Sequence, residues 1–179
     1  MSSKVGTALY RVAAARQPTG AKLAYSTAMK ITFAAIVPRR TRSKSEATAN
    51  LLADYIERVA RYVSCDSHLF DSEAAMLEWL DRQPGRTPAH AILLDSRGKQ
   101  YTSEEFAAHI GRIRDEGIQR LVLAIGPADG WSPAARRRAN LLLSLGRITL
   151  PHQLARVVLA EQVYRALTIL AGHPYHSGH

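Results

Sequence analysis

Apolar residues follow two spacings along the chain, one typical of buried strands and one typical of amphipathic helices. Short apolar runs predict strands at residues 30–37, 90–95, 120–125 and 147–150. Helical spacing predicts helices at residues 45–63, 71–82, 103–117, 132–144 and 152–171. A polar connection is expected after residue 63 and a turn at residues 96–100. The alternation predicts an α/β domain with a mostly parallel sheet covered by helices on both faces.

Helix starts carry recognisable capping residues. Asp71 or Ser72 can cap the second predicted helix, and Ser103 can cap the third. Ser132 followed by Pro133 combines an N-cap serine with proline at the first helical position. These signals place strand-to-helix turns at the carboxyl ends of the strands, where open parallel sheets bind their ligands.

Residues 1–28 differ from the rest of the chain. They contain basic residues but no acidic one, and small residues dominate. Such a leader is typical of an organelle transit peptide, or it reflects a start assigned too early, with Met29 as the true start. We expect this extension to be disordered or loosely attached, and residues 29–179 to form one domain.

The chain is strongly basic, with 24 Lys and Arg residues against 15 Asp and Glu residues. Positive charge favours nucleic acid or another polyanion as a partner. Two runs, at residues 39–44 and 136–138, could contact phosphates or could be solvated surface. No apolar run is long enough to span a membrane. The single cysteine, Cys65, suits a reducing interior, so we expect a cytoplasmic protein.

Several glycines, aspartates and histidines have a structural as well as a functional interpretation. Gly126 and Gly130 permit a close approach of the backbone or a sharp turn, but they form no phosphate-binding motif. Asp95 and Asp129 stand at strand ends, where turn capping is the simpler role. The histidines at the C-terminus lack partners for a metal site, and we expect none.

The last predicted helix is apolar on nearly every side. A helix of that kind has to be covered all round. In a chain of this size, one side is expected to pack on the sheet and the other on a second subunit. The pattern therefore predicts a homodimer.

Two stretches near the C-terminus allow a more specific interpretation. Residues 143–166 read LSLGRITLPHQLARVVLAEQVYRA, and residues 173–176 read HPYH. Together with Leu94, Asp95, Gly98, Lys99 and the strand ending in Gly126, they resemble the RlmH family. These bacterial SPOUT-class enzymes methylate N3 of a pseudouridine in large-subunit (23S) ribosomal RNA. The resemblance covers about residues 29–176.

The resemblance implies a SPOUT-type fold with a C-terminal trefoil knot, a homodimer, ribosomal RNA or the ribosome as partner, and S-adenosylmethionine as methyl donor. Arg156 and Tyr175 are implied to bind the target nucleotide, with His176 or Arg165 as catalytic residue. The tail is expected to reach into the partner subunit's site. The implied cofactor-binding residues are Leu94, Gly126, Leu145, Gly146, Arg147, Ile148, Thr149 and Leu150.

The chain departs from the family pattern at two places. Pro127 stands where the family has a second glycine, and proline lacks a backbone N–H. Residues 64–69 replace a stretch rich in lysine and glycine. Two alternatives therefore stay open: a non-catalytic relative that binds RNA or the ribosome, and a SPOUT enzyme that acts on another RNA, such as tRNA.

Overall fold

Strands and helices alternate from the first described residue to the last. The computed structural model describes residues 29–38, 46–82, 87–173 and 175. The extension at residues 1–28 and the basic run at 39–44 lie outside these residues. The elements are β1 (Lys30–Ile36), α1 (Glu46–Ala60), β2 (Ser64–Phe70), α2 (Glu73–Asp81), β3 (His90–Lys99), α3 (Ser103–Asp115), β4 (Arg120–Ile125), α4 (Pro133–Arg138), β5 (Leu141–Leu143) and α5 (His152–Leu170).

The strands form a five-stranded parallel sheet in the order β2-β1-β4-β3-β5. Leu94 of β3 pairs with Ile125 of β4 on one side and with Leu143 of β5 on the other. The carboxyl ends of β4 and β5 therefore lie beside Leu94, the last residue of β3 before its irregularity. This arrangement confirms the predicted α/β class with a parallel sheet.

Helices cover both faces of the sheet. On one face, α1, α3 and α5 pack on side chains such as Ile31 and Leu123. On the other face, α2 and α4 pack on Ala34 and Val122. Because both faces are buried, the central strands are continuous apolar runs rather than alternating ones.

The capping predictions hold with one shift. Ser72 accepts a hydrogen bond from the Ala75 N–H at 3.2 Å, and Ser132 caps α4 with Pro133 in its first turn. The cap of α3 is Thr102 rather than Ser103. Its side chain and that of Glu105 form a reciprocal capping box, which satisfies two backbone N–H groups at once.

The sequence interpretation missed β2. Residues 64–70 were expected to be a polar connection, yet they form an edge strand paired with β1. The polar side chains are compatible with a strand because they find partners. Asp66 lies 2.6 Å from the Lys30 ammonium and 3.2 Å from Nε2 of His68.

Two boundaries near the other edge of the sheet were also wrong. The fourth helix ends at Arg138 instead of residue 144, and the strand that follows is Leu141–Leu143 instead of residues 147–150. Asn140 explains the change. Its side-chain oxygen accepts from the Ala91 N–H, and its own N–H donates to the Ala91 carbonyl, each at 2.8 Å. These bonds compete with the helix and dock the chain on β3.

The turn predicted at residues 96–100 is instead part of β3, which continues to Lys99 past an irregularity. Leu94 and Lys99 both pair with Leu143, so residues 95–98 bulge out between them. At Gly98 an added Cβ would lie 2.6 Å from the backbone of Leu142. The bulge therefore packs directly against the backbone of β5. Whether the chain is threaded as a trefoil knot stays a prediction.

Helix α5 lies between α1 and α3 and against the sheet. Val157, Val163 and Leu167 are buried there within one chain, while Leu154 remains 40% exposed. Covering by α1 and α3 accounts for much of the all-round apolar character, so that pattern alone does not require a second subunit. Among the described residues, no helix is long and apolar enough to cross a membrane.

Replacement of Gly98 by alanine should destabilise the fold. The new methyl group would meet the backbone of Leu142 and Leu143, which cannot move as a flexible side chain does. We expect Gly98→Ala to lower the free energy of unfolding by about 1–3 kcal/mol, the usual cost of overpacking. Gly111→Ala is the control, because its Cβ would meet only the flexible end of Leu170, at 3.1 Å. Denaturant unfolding measures both, and equal stability of the two variants would contradict the described contact.

Candidate functional site

The carboxyl ends of β3, β4 and β5 bring most of the predicted cofactor residues together. Leu94 lies beside Ile125, and Gly126 follows directly. The loop at residues 144–151 leaves β5 next to Leu94 and ends at His152, which hydrogen-bonds the backbone of Gly126. The predicted cofactor positions thus share one edge of the sheet.

Gly126 is required by a packing contact within the chain. A Cβ at this position would lie 2.7 Å from Cε2 of Trp131. The Trp131 indole N–H also donates a hydrogen bond of 2.7 Å to the Leu94 carbonyl oxygen. The close approach expected at Gly126 is therefore made by Trp131. The sharp turn lies at Gly130, which has a φ of 86° and donates to the Pro127 carbonyl at 3.0 Å.

The loop after β5 offers backbone to a ligand. Gly146 has a φ of 120°, and an added Cβ there would meet nothing within 4 Å. The buried Ser144 hydroxyl fixes the turn, since it bonds both the N–H and the carbonyl of Gly146 at 3.2 and 3.1 Å. Ile148 is 82% exposed, which is unusual for a large aliphatic side chain. The loop thus presents an apolar side chain and leaves open space beside Gly146.

His152 was not singled out by sequence reasoning. Burial, and then the nearby Arg156 charge, lower the pKa of its ring, so the ring is neutral at pH 7. Its Nε2 is buried and has no hydrogen-bond partner in the described part of the chain. A buried unsatisfied nitrogen beside Gly126 is the kind of group that a bound ligand satisfies. The one sequence signal at this position is that His152 follows Pro151 at the start of the last helix.

Arg156 lies one turn further along α5. Its side chain lines a small cavity with Phe33, Leu52 and Ile125, and burial lowers the pKa of its guanidinium. It donates to Oε1 of Gln153 at 3.0 Å, and no carboxylate of the described residues lies within ion-pair distance. A partly buried cation without an acidic partner favours an anionic ligand.

Arg165 and Tyr175 belong to a separate aromatic cluster between α1 and α5. The Arg165 guanidinium pairs with Glu161 at 2.8 Å and lies 5.1 Å from the centre of the Tyr175 ring. Tyr175 also contacts Tyr164, with ring centres 4.8 Å apart. Burial and a hydrogen bond with Tyr55 raise the pKa of the Tyr175 hydroxyl.

This cluster is far from the carboxyl edge of the sheet. Arg165 is 13 positions beyond His152 in the same helix, which corresponds to about 20 Å at 1.5 Å per residue. Within one chain, Arg165 and Tyr175 therefore do not meet the residues around Gly126. His176 lies outside the described residues.

A family model described as "Predicted SPOUT methyltransferase" matches residues 29–176. The chain belongs to the SPOUT methyltransferase family. It is 50% identical over 138 residues to the ribosomal RNA large subunit methyltransferase H of Koribacter versatilis, covering 77% of this chain and 94% of that protein. It is 61% identical over 88 residues to the protein of the same name from Brucella ovis, covering 49% and 52%.

Two solved structures also resemble this SPOUT methyltransferase. A methylase family protein from Neisseria gonorrhoeae superposes with a TM-score of 0.49 at 12% identity, covering 82% of this chain and 86% of that chain. The SpoU methyltransferase AviRb from Streptomyces viridochromogenes, solved with AdoMet, gives a TM-score of 0.43 at 14% identity, covering 82% and 62%.

Several other candidates in the SPOUT domain have structural roles. Asp95 is almost fully buried and pairs with Arg97 at 3.0 Å and with Arg136 at 3.2 Å. The hydrogen bond from Arg97 is the main cause that lowers the Asp95 pKa. Arg138 pairs with Asp81, again at 3.0 Å. Of the basic run at 136–138, only the middle residue is exposed.

Neither the thiol nor a cluster of metal-ligating side chains forms a second site in the part of the chain that the structure describes. Burial raises the pKa of Cys65 to about 12, and its Sγ donates to the Ile56 carbonyl at 3.3 Å. It is a packed, unreactive thiol. No group of three or more His, Cys, Asp or Glu side chains that could hold a metal ion occurs among the described residues.

Acidification below about pH 6.5, the ordinary pKa of histidine, should destabilise the folded protein. Burial lowers the pKa of His90, His109 and His152 below the usual value, so the unfolded chain binds more protons. Their contribution to stability is present above about pH 6.5, the unfolded pKa, and is lost as the pH falls toward the folded pKa values. Denaturant unfolding at pH 7.5, 6.5 and 5.5 should show this loss.

The variant His152→Gln should lose less stability between pH 7.5 and 5.5 than the wild type does, because it removes one of the three groups. An equal slope in both proteins would show that His152 is not kept neutral by burial.

Proposed function

We propose that this chain is an S-adenosylmethionine-dependent methyltransferase that modifies N3 of a pseudouridine in bacterial 23S ribosomal RNA. The observation that carries this proposal is the 50% identity to a ribosomal RNA large subunit methyltransferase H over 94% of that protein's length. The excess of basic residues agrees with an RNA substrate. Cytoplasmic location is part of the same proposal, since ribosomes are the expected partner.

The carboxyl edge of the sheet suits S-adenosylmethionine, which supplies a methyl group activated by the positive sulfonium. The backbone of Leu94, Gly126 and residues 145–150 would hold it. Leu145, Ile148 and Leu150 offer apolar surface for an adenine ring, and the exposed backbone of residues 147–149 offers polar groups for its edge. The unsatisfied Nε2 of His152 supports the same location.

The acceptor needs help because the uracil N3 carries a proton and is a poor nucleophile until that proton leaves. A cation near the base stabilises the anion that forms. We propose Arg156 for this role, because its guanidinium is partly buried and has no carboxylate partner among the described residues. His176 is proposed to assist as general base, or Arg165 as a cation that stabilises the anion, and Tyr175 to stack on the nucleobase once it has left its helix.

This division of roles supports a homodimer. Arg165 and Tyr175 are about 20 Å along α5 from the residues around Gly126, so they can act there only if a second subunit supplies them. In the proposed dimer, the tail of one subunit completes the carboxyl edge of the other.

A non-catalytic relative that binds RNA or the ribosome is the second candidate. Pro127 removes a backbone N–H beside the site, and the Leu94 carbonyl already accepts a hydrogen bond from Trp131. Both features reduce the backbone groups available to a ligand. Such a protein would bind RNA with a strong salt dependence and transfer no methyl group.

A labelled methyl-transfer assay with ribosomes, free ribosomal RNA and tRNA tests the proposal. We expect transfer to ribosomes or ribosomal RNA, binding of S-adenosylmethionine by calorimetry, and a loss of rate of about hundredfold in Arg156→Ala. Arg82→Ala is the control, since it removes an exposed cation at the far end of α2. Transfer only to tRNA supports the other-RNA alternative, and RNA binding without transfer supports the non-catalytic one.

Subunit mixing tests the composite site. Arg156→Ala damages the carboxyl edge and Arg165→Ala damages the tail cluster, so each homodimer should be nearly inactive. A heterodimer of the two variants, purified through two different tags, should recover activity because one of its sites combines the intact edge with the intact tail. An inactive heterodimer, or a purified wild type that is an active monomer, would contradict the proposed arrangement.

A further inference from the structure

The loop between β4 and α4 is held by side chains from outside it. Pro127 has no N–H to donate, and the internal bond of the loop is the one from Gly130 to the Pro127 carbonyl, at 3.0 Å. A loop with so few bonds of its own would sample many conformations. Two contacts at its end restrict it.

The first contact is made by Trp131, which is 3% exposed. Its ring covers Gly126, where an added Cβ would come within 2.7 Å of it. Its N–H donates to the Leu94 carbonyl at 2.7 Å. One side chain thus joins β3 to the carboxyl end of β4 at Leu94 and Gly126, two of the residues that the cofactor prediction names.

The second contact is made by Glu73 at the start of α2. Its Oε2 accepts from the Ser132 N–H at 3.0 Å, and its Oε1 accepts from the Ser132 hydroxyl. The same hydroxyl accepts from the Ala135 N–H and caps α4. The loop is therefore fixed at two successive residues, by β3 on one side and by α2 on the other.

The fixed loop forms one wall of an open cavity of about 500 Å³. Ile36 and Pro38 from the end of β1, Asp71 and Glu73 from the start of α2, and Pro127 and Trp131 from the loop line this cavity. A displacement of Trp131 would therefore change the shape of the cavity and the spacing of Leu94 and Gly126 together.

From these contacts we infer that Trp131 is a positioning residue for the methyl-donor site. Its N–H and ring hold the backbone of Leu94 and Gly126 at a fixed spacing before the donor binds. The inference rests on the proposed function. A loop with more glycine could hold this spacing with its own backbone N–H groups, whereas here the side chain of Trp131 holds it. A loop with proline at position 127 can therefore still receive the donor.

Two substitutions separate the contributions of the ring and the N–H. Trp131→Phe keeps an aromatic ring over Gly126 and leaves the Leu94 carbonyl without its donor, while Trp131→Leu removes both contacts. We expect Trp131→Phe to weaken binding of S-adenosylmethionine roughly tenfold in calorimetry, because binding must then fix a backbone spacing that the N–H holds in the free protein. Trp131→Leu should weaken it further. The KM for the donor should rise more than kcat falls.

The control is Trp79→Phe. Trp79 is the other tryptophan, and it packs on His68 and Phe70 away from the donor site, with ring centres 5.2 and 5.4 Å apart. This variant should bind the donor as the wild type does. Its remaining fluorescence comes from Trp131 alone, so the emission should change when S-adenosylmethionine is added. This measurement keeps Trp131 intact and does not depend on whether the Trp131 variants fold.

The outcomes distinguish this inference from the proposed function. If the wild type does not bind S-adenosylmethionine, the proposed function fails. If the wild type binds it but Trp131→Phe binds equally well, or Trp131 emission does not respond in Trp79→Phe, the positioning role is wrong. A lower unfolding temperature of Trp131→Phe with unchanged donor affinity would show a purely structural role and would also overturn the inference.

Discussion

Burial of a parallel sheet on both faces is the constraint on which the rest of this structure depends. Parallel strands cannot be joined by tight turns, so each connection is a crossover, and each of the four connections between β1 and β5 contains a helix. The crossovers also align all strands in one direction. As a result Leu94, Ile125 and Leu143 end at the same edge, and every loop that leaves that edge is available for binding.

The same constraint separates two groups of residues that the sequence places on one helix. Helix α5 starts at the binding edge and runs back along the sheet, with Arg156 near its start and Arg165 on its far half. A rigid helix cannot bring both to one point. Under the proposed function, the two residues therefore act together only where two subunits meet.

The apolar pattern predicted the central parts of the fold well. The β4 bounds, Arg120–Ile125, matched the prediction, and the caps at Ser72 and Ser132 were confirmed. Strand β2 was missed because an edge strand tolerates polar side chains when they pair, as Asp66 does with Lys30. The shift of β5 depended on Asn140 bonding a residue 49 positions earlier, which no local pattern indicates.

The candidate site was predictable to a similar extent. Resemblance placed residues 94, 126 and 145–150, and the structure gathers them at one edge, while their cofactor role stays a prediction. The separation of Arg165 from that edge could have been inferred from the predicted last helix, because Arg165 lies more than three turns beyond its start. The roles of Trp131, Glu73 and His152 could not be predicted from the sequence, because each depends on a contact between segments that are distant in the chain.

The pairing of β3 with β5 has a consequence for the order in which the chain assembles. Leu94 has its outer partner only at Leu143, 49 positions further on, so that edge of β3 stays unpaired until most of the chain has been synthesised. Pairing over such a distance is slow because the intervening segment must first lose its freedom. Until then the open edge of β3 is the part of the nascent chain most exposed to strand pairing with another molecule.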